Sequence, residues 1–207
     1  KMIKKKSFNK PRALYKADFG IDYTKRSNIS LLERDQHTVP QTGETISETL
    51  EKVIKHTKDI KTVLEVGCGL GHNLELLKKY GDFDLTGVDI QKYALSEARK
   101  KYKNINFIEA DCSSLPFEES SFDLVFTRMT LIHIPPDEIG LILKELSRVS
   151  FKYMAAIEYF SKNVEEINWR GEEGVIWKMD YHDSCNKHIS HNFNTIFCDY
   201  SKINYDV

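Results

Sequence analysis

The residues best placed to do chemistry lie in one short run, Val63-Leu64-Glu65-Val66-Gly67-Cys68-Gly69-Leu70-Gly71. An apolar stretch passes into three glycines at alternate positions and then into a helix-forming segment. Glycine at such a turn lets the backbone bend sharply and lets a ligand approach where a Cβ would stand. The turn also presents free N–H groups at a helix N-terminus. Dinucleotide sites use those groups for pyrophosphate, with the third glycine one position later than here. In this chain His72 holds that later slot. Gly67, Gly69 and Gly71, preceded by Glu65, suit a ligand whose tail is an amino acid. Its carboxylate takes the N–H donors and a nearby acid holds its ammonium. Cys68 lies within the turn and Asn73 in the helix that follows. A merely tight strand–helix turn is the plainer alternative.

Two further acids strengthen the reading. Asp89, followed by Ile90, comes about twenty residues after the glycines, where a carboxylate can accept both hydroxyls of a ribose. Asp111 and Cys112 follow the third apolar run. An acid there can accept from an adenine amine, and the next residue can offer its backbone N–H. Cys112 is a small spacer in this reading, because no basic partner adjoins it to make a thiolate.

These groups need a scaffold that brings them to one edge. Strands are expected at 62–66, 85–90, 105–110, 122–127 and 153–159, with helices at 73–80, 93–102 and 137–149 between them. Alternation at this spacing implies parallel strands with right-handed crossovers, covered by helices on both faces. The fold class is α/β, a single Rossmann-like domain with a mostly parallel, doubly wound sheet. Residues 1–57 read as a lead-in ending in an amphipathic helix and forming a cap; residues 58–207 read as the ligand-binding domain. The stretch 161–183 is polar, with two tryptophans and no clear period. Residues 194–199 read as a sixth strand, so the final strands are shortened or rearranged.

The sequence resembles class I S-adenosylmethionine (SAM)-dependent methyltransferases over about Val63–Tyr159. More narrowly it resembles the methylases associated with pseudaminic acid, a nonulosonic sugar. The resemblance rests on Phe19-Gly20 with Tyr23 and Arg26, on Gly71-His72-Asn73-Leu74, and on Phe122-Asp123-Leu124-Val125-Phe126-Thr127. It rests also on Leu131-Ile132-His133-Ile134, on Glu158-Tyr159-Phe160 and on Trp169-Arg170-Gly171-Glu172. It implies SAM as cofactor and transfer of its methyl group to a sugar or sugar nucleotide of surface-glycan biosynthesis. Thr127 joins the cofactor residues, and Tyr23 and Arg26 either fold over the cofactor as a lid or simply pack the N-terminal segment. A degenerate domain that binds SAM without catalysis, or serves as an assembly partner, is the competing reading.

Methyl transfer to a hydroxyl also requires that its proton be taken up. His133, after the fourth strand, is the first choice for that base or for orienting the substrate, with a structural histidine as the alternative. Glu158, after the fifth strand, is the second. Tyr159 and Arg170 are expected on the acceptor, with the guanidinium clamping a carboxylate or phosphate; a surface salt bridge is the alternative for Arg170.

A net charge of −1 provides no global pull toward nucleic acid, and no apolar run is long enough to span a membrane. The lysine-rich start, Lys1 to Lys6, reads as a solvated tail. Four unevenly spaced cysteines suit a reducing, cytoplasmic setting. His182, Cys185, His188 and His191 recur every third residue but fit no zinc-module spacing, so no metal is expected.

Overall fold

A computed structural model describes residues 9–200 apart from Ser190, Asn192 and the side chain of Gln41. The lysine run at 1–6 lies outside the described residues.

The chain opens with four helices: α1 (Asn9–Lys16), α2 (Asp18–Ser27), α3 (Leu31–Thr42) and α4 (Ile46–Lys55). The last two begin in capping boxes. Ser30 and Thr45 each accept from the backbone N–H three residues on, and Glu33 and Glu48 reach back to the cap N–H. This accounts for helical order in a segment whose composition looked irregular. Only α4 carries the apolar stripe that the sequence shows, burying Ile46 and Leu50.

The alternating part follows as β1 (Thr62–Val66), α5 (His72–Leu77), β2 (Asp84–Asp89), α6 (Lys92–Lys101), β3 (Asn106–Glu109) and β4 (Phe122–Arg128). A short 3-10 turn (Leu131–His133), α7 (Ile139–Val149) and β5 (Ser150–Ile157) come next. All pairings within this sheet are parallel, in the order β3-β2-β1-β4-β5. Each expected strand and helix in this region is present within a few residues of its expected ends. Strand β1 sits in the middle with Val63, Leu64 and Val66 buried, as a strand covered on both faces requires. Strand order reverses between β1 and β4, and that gap is where an open α/β sheet binds ligands.

The C-terminal part departs from expectation. The stretch with no clear period forms a hairpin of β6 (Glu165–Trp169) and β7 (Glu172–Lys178), paired antiparallel in a sheet of its own. Gly174, Val175, Ile176 and Trp177 are buried, while Glu165, Glu166 and Asn168 are exposed. One half-buried strand beside one polar strand leaves a weak period in the sequence. After α8 (Tyr181–Ile189), residues 194–199 form no strand. Their side chains engage α4 instead: Phe197 stacks on His56 with ring centroids 4.0 Å apart, and Asp199 pairs with Lys52 at 2.6 Å. No helix among the described residues is long and apolar enough to cross a membrane.

Candidate functional site

The glycine turn hangs off the carboxyl end of β1. Its N–H groups at Gly67 and Cys68 donate to the Val88 carbonyl at 2.8 and 3.0 Å, which ties the turn to β2. Gly67, Gly69 and Gly71 all have positive φ (78°, 50° and 72°), a region that L-residues with a Cβ rarely enter. The three differ in what a Cβ would meet. At Gly67 it would strike Thr130 Oγ1 at 2.1 Å, and at Gly71 the Phe107 ring at 2.5 Å. At Gly69 it would meet nothing within 4 Å. Protein packing demands the first and third glycines. Gly69 instead faces open space.

That space is a cavity of about 250 Å³. Of the residues singled out in the sequence, Gly67, Cys68, Gly69, Asn73, Asp89, Ile90, Asp111, Cys112, Tyr23 and His133 line it. Asp89 braces the turn as well as facing the cavity. Its Oδ2 accepts from Gly69 N–H and its Oδ1 from Gln91 N–H, both at 2.8 Å. Each oxygen keeps a second lone pair, so a vicinal diol can still be held.

Glu65 lies behind the lining with no exposed surface. Its Oε1 accepts from Asn73 Nδ2 at 2.6 Å, and its Oε2 is buried without a partner. Burial pushes its carboxyl up to about 8, against the pull of the Asn73 bond and the nearby Arg34 and Arg128. A buried oxygen left unmatched is costly.

The N-terminal helices close the cavity from above, through residues that the sequence reading missed. Arg12 on α1 pairs with Asp111, Nε to Oδ2 at 2.7 Å and Nη2 to Oδ1 at 2.9 Å. Both Asp111 oxygens thus meet a guanidinium, which competes with an adenine amine. Hydrogen bonds from Ser113 and Arg12, with the Arg12 charge, outweigh burial and hold the Asp111 carboxyl below its ordinary range. Gln91 Nε2 donates to the Tyr15 carbonyl at 2.9 Å. Tyr23 reaches the cavity from α2 and meets Tyr15 edge-on at 5.7 Å. Arg26 is exposed and outside the lining; Arg34 on α3 reaches in instead. Its Nη2 donates to Asn73 Oδ1 at 3.2 Å.

His133 follows β4 on the 3-10 turn. The Val175 carbonyl lies 3.0 Å from Nδ1, and a carbonyl only accepts, so the hydrogen is assigned to Nδ1. Nε2 then carries the lone pair and accepts from the Tyr15 hydroxyl at 3.2 Å. Burial lowers the imidazole to about 4, which keeps it neutral near pH 7. Cys112 remains a thiol, since burial lifts it to about 12.

Several expected residues lie elsewhere. Glu158 points into the turn after β4, accepting from Thr127 Oγ1 at 2.8 Å, Thr130 N–H at 3.2 Å and Ile132 N–H at 3.3 Å. Thr127 is buried behind the sheet edge and spends its hydroxyl on that bond. Glu65 and Gly71 support the lining without joining it. Arg170 occupies the tip of the β6–β7 hairpin, stacked over Trp169 at 5.4 Å and outside both large cavities. Tyr159 lines a second cavity, of about 820 Å³, which runs along β5 beneath residues 193–200.

Comparison with known proteins agrees with this architecture. Residues 63–151 match the family model of a methyltransferase domain. The chain is 33% identical over 93 residues to cycloartenol-C-24-methyltransferase of Arabidopsis thaliana, covering 42% of this chain and 27% of that one. It is 32% identical over 95 residues to phosphoethanolamine N-methyltransferase 1 of the same plant, covering 44% and 19%. The chain thus spans about a quarter or less of these relatives' length. Among solved structures, the methyltransferase of Haloferax volcanii in complex with the Trm112 methyltransferase activator superimposes with TM-score 0.63 at 18% identity, over 86% of this chain and 75% of that one. A SAM-dependent methyltransferase from Methanosarcina mazei gives 0.57 at 21%, over 68% and 82%. At those identities the likeness concerns the fold. Over residues 63–151 the chain is therefore similar to methyltransferase domains, and the sheet around that stretch has the fold those solved structures share.

Proposed function

We propose that this protein transfers a methyl group from SAM to a small-molecule acceptor, and that the acceptor is a sugar or sugar nucleotide. The observation that carries the methyltransferase reading is the open face of Gly69 beside Asp89, at the carboxyl edge where strand order reverses. Curated relatives are named for sterol and phosphoethanolamine substrates, which favours a small acceptor. The sugar rests on the motif resemblance.

The residues present fit the cofactor. Asp89 is read as holding the ribose hydroxyls, Ile90 and Cys112 as flanking the adenine, and Cys68 and Gly69 as meeting the tail. Glu65, with its unpartnered oxygen, takes the ammonium, while Asn73 and Arg34 stand at the carboxylate. When bound, SAM supplies a methyl group already activated by positive sulfur, so positioning by the protein contributes much of the rate.

For a hydroxyl acceptor, Tyr15 and His133 form a path for the proton. Tyr15 takes it at Oη and passes its own to His133 Nε2, whose ring is held by the Val175 carbonyl. Glu158 is a positioning residue: it fixes the backbone of 130–132, and so the turn that carries His133. Replacing His133 with Ala is expected to lower kcat by about 10²–10⁴-fold, the range general-base help supplies, with SAM affinity changed less than about 3-fold. Isothermal titration beside a turnover assay checks this. Equal loss of binding and turnover would make His133 structural. A chain that binds SAM yet methylates no nucleotide sugar or related metabolite would favour the assembly-partner reading.

A further inference from the structure

Arg128, the last residue of β4, stands where the strand order reverses. It and Met129 are the residues common to the cofactor cavity and to the larger cavity along β5. Its Nε is buried and has no hydrogen-bond partner, and no carboxylate among the described residues pairs with it. Arg34 lies close enough for the two guanidinium groups to oppose each other's charge.

The acids nearby have other partners: Glu158, which lines the larger cavity and attracts Arg128, accepts from Thr127 Oγ1 and from the N–H groups of Thr130 and Ile132. Arg12 engages Asp111, and Asp89 is committed to the backbone N–H groups of Gly69 and Gln91. Glu65 is held mostly protonated at neutral pH by burial. The cofactor's own carboxylate is already provided for by Arg34 at Asn73. Arg128, at the mouth of the second cavity, is left over.

We propose that Arg128 binds an anionic group of the methyl acceptor, a carboxylate or a phosphate, at the junction of the two cavities. A guanidinium matches the paired oxygens of either group. This rests on the methyltransferase reading and moves the anion clamp from Arg170 to Arg128.

The test uses the full chain saturated with S-adenosylhomocysteine. Sodium phosphate, sodium acetate and, for ionic strength, sodium chloride are titrated while the Arg128 Nε–H resonance is followed by NMR. Phosphate or acetate, whichever resembles the natural group, should shift that resonance saturably, and chloride should not. Arg128→Gln should weaken the preferred anion at least about 10-fold, the loss of a charge-assisted pair. S-adenosylhomocysteine affinity should stay within about 3-fold, and the variant should melt no lower than wild type because an unpaired buried charge is gone. Should Arg128→Gln fail to fold, Arg128→Lys carries the same titration and should retain part of the affinity. Three outcomes overturn the proposal: neither anion acts differently from chloride, Arg128→Gln keeps full anion affinity, or Arg128→Gln abolishes S-adenosylhomocysteine binding. Wild-type protein that fails to bind S-adenosylhomocysteine would sink the methyltransferase reading, and the same titrations on ligand-free protein would still decide Arg128.

Discussion

Individual residues in this site have environments that set their protonation. Glu65 is lifted from its ordinary 4.5 to about 8 because it is wholly buried. A raised acid favours the folded state most below about pH 4.5, and that advantage is lost as pH rises through about 8. An ammonium beside the carboxylate reverses the shift, so SAM binding at pH 7 should release close to one proton. Calorimetry in phosphate and in Tris would read this as a difference in apparent enthalpy equal to the buffers' ionisation heats. Glu65→Gln should abolish that difference; a release that persists unchanged in the variant would remove Glu65 from the ammonium site. Residue-scale reading of the sequence brought Asp89 and Asp111 to the cavity, because each side chain follows its strand directly. It missed Arg12, Tyr15 and Arg128. The first two reach the site only because α1 folds back across about a hundred residues, and no local spacing records such a contact.

Secondary-structure elements were legible where packing dictates composition. Strand β1 is a short apolar run because both faces are covered, and α7 buries Ile142, Leu143 and Leu146 at helical spacing. The β6–β7 hairpin was not legible, because its outer strand faces solvent and its inner strand packs on the turn bearing His133. The stretch 194–199 reads locally as a strand, yet its side chains are taken by α4. The glycine turn separates packing from ligand binding most clearly. Gly71→Ala drives a Cβ into the Phe107 ring at 2.5 Å, and overpacking of that kind costs about 1–3 kcal/mol beyond the positive-φ penalty. Gly69→Ala carries only the φ penalty of about 1–2 kcal/mol, with its methyl in open space. Urea melts should therefore show Gly71→Ala as the less stable variant. Titration should show Gly69→Ala losing SAM affinity although it is the better folded of the two. The reverse pattern would mean that Gly69 faces no ligand.

At the scale of the whole molecule, a five-stranded parallel sheet presents its acids and glycines along one edge, and a helical N-terminal segment covers that edge. The cover is polar and specific: Arg12 to Asp111, Gln91 to Tyr15, Tyr15 to His133, and Lys10 to Glu172 and the Glu173 carbonyl on the hairpin. A cofactor held beneath it must displace some of these contacts, the Arg12–Asp111 pair first if Asp111 is to meet an adenine. The sequence carried the edge and set residues 1–57 over it as a cap, but left the cap's contacts unresolved, since cap and edge share no repeating pattern. The most direct measurement of the whole account is titration of SAM into the full chain by calorimetry, wild type beside Asp89→Ala. One SAM per chain, with affinity at least about 10-fold weaker once the carboxylate is gone, is the predicted result. No heat from wild-type protein, or an Asp89→Ala variant that binds as tightly as wild type, would contradict it.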